Sequence, residues 1–123
     1  MIGPHQLPDE GMVQLAIPVL TCEDVAAAVV HYRDALGFQV NYQQADLGVM
    51  DRDHVRVLLA RRDTGAGRSS AYFYVRNADA LHAELAGRGA RLQAEPLSHS
   101  WGLRDFEVLD LDGNSLTFGQ PFE

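Results

Sequence analysis

The chain has 123 residues, 46% of them hydrophobic and 22% charged, which is the composition of an ordinary globular protein long enough to bury a core. Its formal net charge of −7, from 17 acidic and 10 basic residues, disfavours nucleic acids and anionic membranes as partners. No apolar run reaches the length of a membrane span and the N-terminus lacks a secretory signal, so we expect a cytoplasmic protein.

The first half of the chain predicts a strand, a helix and three further strands. Residues 1–12, with two prolines and two glycines, are expected to form a flexible arm. After a short strand ending near Leu20, Thr21 is the expected N-cap of a helix, with Asp24 completing a weak capping box, and Gly37 ends that helix. Its inward residues are expected to be Val25, Ala28, Val29, Tyr32, Ala35 and Leu36. The following strands are expected at 39–43, 46–50 and 55–60, with a glycine-containing loop over 61–70.

The second half repeats this order of elements. A strand over 71–75 is followed by a helix from Ala78 to about Arg88, capped by Asn77 and ended by Gly89, with Ala78, Leu81 and Leu85 inward. After the helix we expect a strand at 91–94, a loop at 95–102 and a strand at 103–109. An Asp-Gly hairpin signal at Asp112 and Gly113 precedes the last strand, 115–119.

The repeat predicts an α+β fold of two βαβββ modules, about 13–62 and about 69–120, within a single domain over 13–123. One helix per module covers only one sheet face, so the other face must either be buried against another element or serve as a binding surface. We therefore expect the two modules to form a curved mixed sheet with a concave hollow and with the helices on the outside.

Three segments carry a resemblance to a known family: AIPVLTCEDVAAAVVHYRDALGF, NYQQADLGVMDRDHVRVLLA and WGLRDFEVLDLDGNSLTFGQ. From about Leu15 to Gln120 the chain resembles the bleomycin resistance proteins of the glyoxalase, or vicinal-oxygen-chelate, superfamily. That superfamily contains lyases, dioxygenases, thiol transferases and non-catalytic binders on one scaffold, so the function has to be argued from the site.

The resemblance locates the four positions that hold a divalent metal in the superfamily's enzymes. In this chain they carry Ile17, Leu58, Ser70 and Thr117, and neither aliphatic groups nor hydroxyls bind such an ion tightly. Shifting the alignment by one residue brings in no better ligand. The sequence therefore predicts no metal, no cofactor and no catalytic residue.

The histidines and the single cysteine do not change this expectation. None of the five histidines shows metal-ligand spacing: His5 lies in the arm, His31 and His82 on the polar faces of the two helices, His54 in a turn, and His99 in the loop before Trp101. His99 is close enough to Trp101 in sequence to touch a ligand. Cys22 cannot form an internal disulfide, and its position before a helix leaves open a reactive thiol as well as simple packing.

Aromatic residues occupy the positions that bind ligand in the family. The resemblance places Tyr42 where a phenylalanine stacks on the flat bithiazole of bleomycin, and Trp101 where a tryptophan stacks on its other side. Leu47 and Tyr72 fall at two further aromatic positions lining the groove. Packing of Tyr42 and Tyr72 against neighbouring strand residues is the alternative interpretation. Each stacking contact is worth roughly 0.5 to 1.5 kcal/mol beyond burial.

Acidic residues lie on the segments expected to border the hollow, and they would steer a cationic ligand; these are Asp46, Glu95, Asp105 and Glu107. Asn41 stands where known binders have an aspartate, so another planar cationic compound is an alternative to bleomycin itself. The family further implies a homodimer that exchanges its first strands near Pro18 and sets Tyr42 of one subunit opposite Trp101 of the other.

The leading hypothesis is a non-catalytic binding protein that sequesters a bleomycin-like antibiotic in crevices at the dimer interface. The alternatives are a metal-dependent lyase or dioxygenase of the same superfamily that uses unusual ligands, and a metabolite-binding protein without a role in resistance.

Overall fold

The order strand, helix, strands occurs twice along the chain. The computed structural model describes residues 2–4, 7, 9–62 and 68–123. His5 and the loop glycines Gly65 and Gly67 lie outside the described residues. The elements within the described residues are β1 Val19–Cys22, α1 Val25–Leu36, β2 Gln39–Gln44, β3 Leu47–Arg52, β4 Val55–Arg61, β5 Ser70–Tyr74, α2 Ala78–Gly87, β6 Arg91–Leu92, β7 Leu97–Ser98, β8 Leu103–Leu109 and β9 Ser115–Pro121.

Each module forms its own sheet, in which the first strand lies parallel to the last. The first sheet has the order β1–β4–β3–β2, with Val19 opposite Leu58 in the parallel pair. The second has the order β5–β9–β8–β6, with β7 also paired to β8 and Ser70 opposite Ser115 in its parallel pair. The predicted α+β class is confirmed. Hydrogen bonds divide the strands into two mixed sheets, where one curved sheet was expected.

Helix α1 is capped by Asp24, and the prediction of Thr21 as its N-cap was wrong. Oδ1 of Asp24 accepts a hydrogen bond from the backbone N–H of Ala27 at 3.2 Å, whereas Thr21 still belongs to β1. A capping side chain has to reach the N–H of the second or third helical residue, which fixes the cap directly before the first turn. Gly37 ends the helix in the left-handed conformation at φ 75°, as predicted. All six residues expected to face inward are buried.

Helix α2 begins after Asn77, whose side-chain oxygen accepts the N–H of Ala80 at 3.0 Å, and this N-cap was predicted correctly. The helix ends at Gly87, one residue earlier than expected, and the strand after it is shorter than the predicted 91–94. Ala78 and Leu85 are buried, while Leu81 is half-buried. Neither helix of the described chain has the length and apolar character that crossing a bilayer requires.

The segment 95–102, predicted to be a loop, contains a strand and a tight hairpin turn. β7 pairs antiparallel with β8, and beyond it the N–H of His99 donates to the carbonyl of Leu103 at 2.8 Å. The N–H of Gly102 donates to the carbonyl of His99 at 3.1 Å, and Gly102 has a φ of 92°. This is a three-residue hairpin loop whose last residue is left-handed. The prediction missed β7 because a pairing of two residues is too short to show alternation.

The helix-facing sides of both sheets share one hydrophobic core, and a buried polar cluster joins the modules beside it. The hydroxyl of Tyr32 on α1 donates to Oδ2 of Asp110, and the amide of Asn114 donates both to Asp110 and to the carbonyl of Thr21. Tyr32, Asp110 and Asn114 are each at most 1% exposed. Burial and the neighbouring Asp110 together hold the pKa of Tyr32 well above its usual value. Since every polar group here has a partner, the cluster fixes the two modules in one arrangement.

Part of the N-terminal segment is attached to the other face of the first sheet. The N–H of Gly3 donates to Oδ1 of Asn41 at 2.6 Å, and the guanidinium of Arg56 donates to the carbonyl of Gly3 at 3.0 Å. Arg56 is only 7% exposed, and its guanidinium makes two hydrogen bonds to the carboxylate of Asp51. The pair is thus covered by residues that precede β1.

Candidate functional site

The second sheet has one face turned away from the shared core, and this face carries three of the candidates, Tyr72, Asp105 and Glu107. In the pairing of β8, β9 and β5, Glu107 lies opposite Thr117, which lies opposite Tyr72. One row along, Asp105, Gly119 and Tyr74 are aligned in the same way. Side chains alternate along a strand, and the intervening residues Phe73, Phe106 and Phe118 are buried. We call the side formed by Tyr72, Tyr74, Asp105, Glu107 and Thr117 the open face.

Asp105 is the centre of a hydrogen-bond network on the open face. Its Oδ2 accepts the hydroxyl of Tyr72 at 2.8 Å, and its Oδ1 lies 2.7 Å from Nε2 of His99. Because a carboxylate only accepts hydrogen bonds, Nε2 carries the proton in this contact. Both oxygens of Asp105 are therefore engaged within the protein, and its side chain is 17% exposed.

Tyr72 reaches Asp105 by lying across β9 above Gly119. A Cβ atom added to Gly119 would come within 2.0 Å of the Tyr72 hydroxyl oxygen and 2.5 Å of its Cζ. Glycine is therefore required at this position for the ring to lie flat across the strand. Partial burial, followed by the hydrogen bond to Asp105, raises the pKa of Tyr72 to about 12.

His99 and Trp101 form a parallel stack at the edge of this network. Their ring centroids are 4.4 Å apart and their planes differ by 7°. Trp101 belongs to the three-residue hairpin loop and His99 directly precedes that loop, which places the indole beyond the end of the sheet, where it is 69% exposed. One face of Trp101 is thus covered by the imidazole, and the other face is available to a ligand.

Three further candidates, Tyr42, Leu47 and Asp46, lie on β2, on β3 and in the turn between them. The hydroxyl of Tyr42 donates to Oε1 of Gln44 at 2.7 Å, and the amide of Gln44 donates to Asp46 at 2.7 Å. Tyr42 and Leu47 are half-buried and Asp46 is exposed. In the described part of this chain, these residues form no hydrogen bond or ring contact with Tyr72, Trp101, Asp105 or Glu107. The single chain therefore presents two separate groups of site residues, one on each module.

The two other acidic candidates make individual contacts. Glu107 accepts a hydrogen bond from the hydroxyl of Ser115 on β9 and is half-buried on the open face. Glu95 lies 3.8 Å from Nδ1 of His82, with a side chain that is 88% exposed. Of the acidic residues expected to border the hollow, Asp105 and Glu107 share the open face.

The residues at the implied metal positions do not fit a metal. Ile17 and Ser70 line an open cavity of about 390 Å³, in which Tyr72 and Arg56 also take part. Leu58 and Thr117 lie in the middle of β4 and β9. Two hydroxyls and two aliphatic side chains are a poor donor set for a transition metal. Across the residues that the structure describes, three or more His, Cys, Asp or Glu side chains nowhere come together in a group able to hold an ion.

The structure changes the interpretation of two histidines and settles that of Cys22. His82, expected on a polar helix face, packs edge-on against Phe106 at 5.1 Å with its side chain 14% exposed. His31 is half-buried, and burial lowers its pKa. Cys22 is 1% exposed, and burial together with nearby Asp112 raises the pKa of its thiol to about 11. The packing role considered for Cys22 is therefore the one observed, because a buried thiol with a raised pKa is unreactive.

Sequence reasoning missed the roles of His99 and Gly119. His99 was considered only as a residue near Trp101, although the short spacing in SHSWG already places both in one turn. The glycine in that motif is a hairpin signal that would have located the turn. Nothing local marks Gly119, since its neighbour Tyr72 is distant in sequence.

Comparison with known proteins places the chain in a family. The sequence matches the Glyoxalase/Bleomycin resistance protein/Dioxygenase superfamily over residues 12–118. No curated protein sequence matches it significantly. A similar solved structure is the bleomycin-binding protein from the bleomycin-producing Streptomyces verticillus, complexed with copper(II)-bleomycin. It is 30% identical with a TM-score of 0.74, and the match covers 91% of this chain and 100% of that one.

Two further structures share the fold at lower identity. The bleomycin resistance determinant encoded on the transposon Tn5 is 20% identical with a TM-score of 0.78, covering 89% of this chain and 98% of that one. A lactoylglutathione lyase from Agrobacterium tumefaciens is 18% identical with a TM-score of 0.71, covering 86% and 92% respectively. The family match over most of the sequence and the 30% identity to a binder over nearly the whole chain show that this protein belongs to the glyoxalase/bleomycin resistance protein/dioxygenase superfamily.

Proposed function

We propose that this protein is a non-catalytic binder that sequesters a bleomycin-like compound, a large ligand with a planar heteroaromatic part and a cationic part, in the cytoplasm. The observation that carries the proposal is Trp101, which presents a free indole face beside the acidic open face. The 30% identity to a protein that binds copper(II)-bleomycin supports the same ligand class. Stacking on the indole supplies affinity, and the net charge of −7 favours approach of a cation.

The absence of suitable donors at the family's metal positions supports binding without catalysis. A metal-dependent lyase or dioxygenase of this superfamily needs several nitrogen or oxygen ligands around one ion. Here those positions hold Ile17, Leu58, Ser70 and Thr117. We therefore propose that the chain binds its ligand stoichiometrically and releases it unchanged.

The proposed site is completed by a second copy of the chain. Tyr42 and Trp101 lie on different modules, with no hydrogen bond or ring contact between them in the single chain. In a homodimer, Tyr42 of one subunit would face Trp101 of the other, and a flat ring would bind between them. β1 pairs with β4 of its own chain, so any exchanged segment is proposed to lie before Val19.

Binding is tested by titrating the protein with metal-free bleomycin and with copper(II)-bleomycin. The chain has one tryptophan, so its intrinsic fluorescence reports on Trp101 alone. Calorimetry should give one ligand per chain at micromolar or tighter affinity, about 8 kcal/mol of binding free energy. Trp101→Ala should lose most of this affinity. Leu111→Ala, which truncates an exposed apolar side chain in the turn at the other end of β8, is the matched control. The proposal would be contradicted if high micromolar ligand produced no heat of binding and no change in fluorescence.

The shared crevice has its own test. Tyr42→Ala and Trp101→Ala chains are each expected to bind weakly, but a mixed dimer contains one crevice in which both aromatic residues are intact. Mixing the two variants under exchange conditions should therefore restore one high-affinity site per heterodimer. If the crevice were built within one chain, mixing would restore nothing. Light scattering on the wild type should first show twice the mass of one chain.

A further inference from the structure

The His99–Trp101 stack raises the question of what keeps the indole in place. Trp101 sits in a three-residue hairpin loop, is 69% exposed and is not part of the shared core. An exposed side chain in a turn normally samples several rotamers, and fixing it on ligand binding costs free energy. The only ring packed against it in the described residues is that of His99, 4.4 Å away and nearly parallel.

His99 is itself held in place by a hydrogen bond to a residue of the sheet. Its Nε2 lies 2.7 Å from Oδ1 of Asp105, which is 17% exposed and lies in the centre of β8. The second oxygen of Asp105 is occupied by Tyr72, whose ring is fixed across Gly119. A continuous set of contacts therefore runs from the rigid strands through Asp105 and His99 to the indole.

From this geometry we propose, building on the proposed function, that Asp105 and His99 are positioning residues that make Trp101 a one-faced platform for a planar heteroaromatic group. The imidazole occupies the inner face of the indole, so the ligand ring is the third member of the stack, on the outer face. Each oxygen of Asp105 already accepts a hydrogen bond from the protein and the side chain is 17% exposed, so its role is to hold His99 rather than to meet the cation of the ligand. Glu107, two residues further along β8 and about 7 Å away on the same side, is the carboxylate left for that cation.

The inference is tested first without ligand, by the fluorescence anisotropy decay and emission of Trp101 in four variants. His99→Asn removes the stacked ring, and its amide is too short to take the place of Nε2 at Asp105, so it should increase the local motion of the indole. His99→Phe keeps a ring to stack but, like Asp105→Ala, loses the hydrogen bond to Asp105, so it should loosen the indole by an intermediate amount. Asp105→Ala should release His99 and loosen Trp101, although it does not touch the indole. Ser100→Ala, between the two stacked residues in the same loop, is the control and should leave the decay unchanged.

Ligand affinity supplies the second readout. His99→Asn and Asp105→Ala should weaken bleomycin binding by about threefold to tenfold, the range expected for one lost ring contact. Glu107→Gln should also weaken binding but leave the anisotropy decay of the free protein as in the wild type. Far-UV circular dichroism checks that each variant is folded.

The outcomes separate this inference from the proposed function. If His99→Asn and Asp105→Ala both leave the motion of Trp101 unchanged in the free protein, the positioning roles are overturned, whatever the ligand does. If the variants loosen Trp101 and the wild type binds no bleomycin, the positioning roles stand and the proposed ligand is wrong. If Glu107→Gln increased the motion of Trp101 in the free protein as much as Asp105→Ala does, the division of roles between the two carboxylates would also be overturned.

Discussion

The hydroxyl of Tyr32 donates a hydrogen bond of 2.7 Å to the carboxylate of Asp110, which joins the helix of the first module to the second module. Both residues are at most 1% exposed. Asn114 takes part in the same buried cluster, in which its amide donates to Asp110 and to the carbonyl of Thr21. The contact adds a buried hydrogen bond between the modules to the hydrophobic core that they share.

Tyr32→Phe should therefore lower the free energy of unfolding by about 1 to 3 kcal/mol, because it removes a buried hydrogen bond to a charged group. Urea denaturation followed by circular dichroism measures the change. Tyr42→Phe is the matched control, since its hydroxyl bonds only to the exposed Gln44, and it should shift the midpoint little. Equal changes in the free energy of unfolding would show that the Tyr32 hydrogen bond contributes no more to stability than the exposed one of Tyr42.

Gly119→Ala should disturb the open face without entering the core. The added methyl group would lie 2.0 Å from the Tyr72 hydroxyl oxygen, so the ring has to move and its hydrogen bond to Asp105 is broken. We expect the pKa of Tyr72 to fall back toward its ordinary value and bleomycin binding to weaken severalfold. Gly87→Ala, where nothing lies near the added methyl group, is the control. An unchanged titration of Tyr72 in Gly119→Ala would contradict the geometry.

The titration of Tyr72 makes stability depend on pH in the alkaline range. The folded protein raises the pKa of this phenol from 10.0 to about 12, by partial burial and by its bond to Asp105. The folded state thus holds the proton more tightly than the unfolded chain does. The resulting stabilisation is complete below about pH 10 and is lost as the pH rises toward 12.

This dependence is measured by comparing wild type with Tyr72→Phe. Phenolate absorbance should show a transition near pH 12 that is absent from the variant. The stability difference between the two proteins should shrink across the same interval. A Tyr72 transition at the ordinary value of 10.0 would mean that the hydrogen bond to Asp105 does not form in solution.

Cys22 should be unreactive in the native protein. It is 1% exposed, and burial raises the pKa of the thiol to about 11, so at neutral pH there is almost no thiolate at the surface. A thiol reagent added at pH 8 should modify it only at the rate of unfolding, and completely once denaturant is present. Rapid stoichiometric labelling without denaturant would contradict the buried position.

The elements of the fold were predictable from local pattern, and the contacts of the site were not. The helical spacing in α1 correctly marked its buried residues, and the alternation of LRDFEVL correctly predicted the strand β8, because each pattern spans enough residues to be recognised. The N-cap was misplaced because Thr21 and Asp24 are both good capping residues, and only the position of the first turn decides between them.

The open face depends on register between distant strands. Tyr72 and Asp105 are 33 residues apart, and their hydrogen bond follows from the parallel pairing of β5 with β9. No spacing rule in one sequence predicts that register. The stack of His99 on Trp101 could have been predicted, since the two residues are close together in one short turn. That prediction would have required recognising β7, the two-residue strand before the turn.

The hairpin loop that carries His99 and Trp101 contributes no side chain to the shared core. Its backbone is closed by the bond from His99 to Leu103 and by the left-handed Gly102, and neither depends on the identity of the residues between them. If the proposed function is correct, ligand preference and thermodynamic stability are encoded in separate parts of the chain. Exchange of this short turn is a route by which one scaffold can acquire a new specificity without refolding its interior.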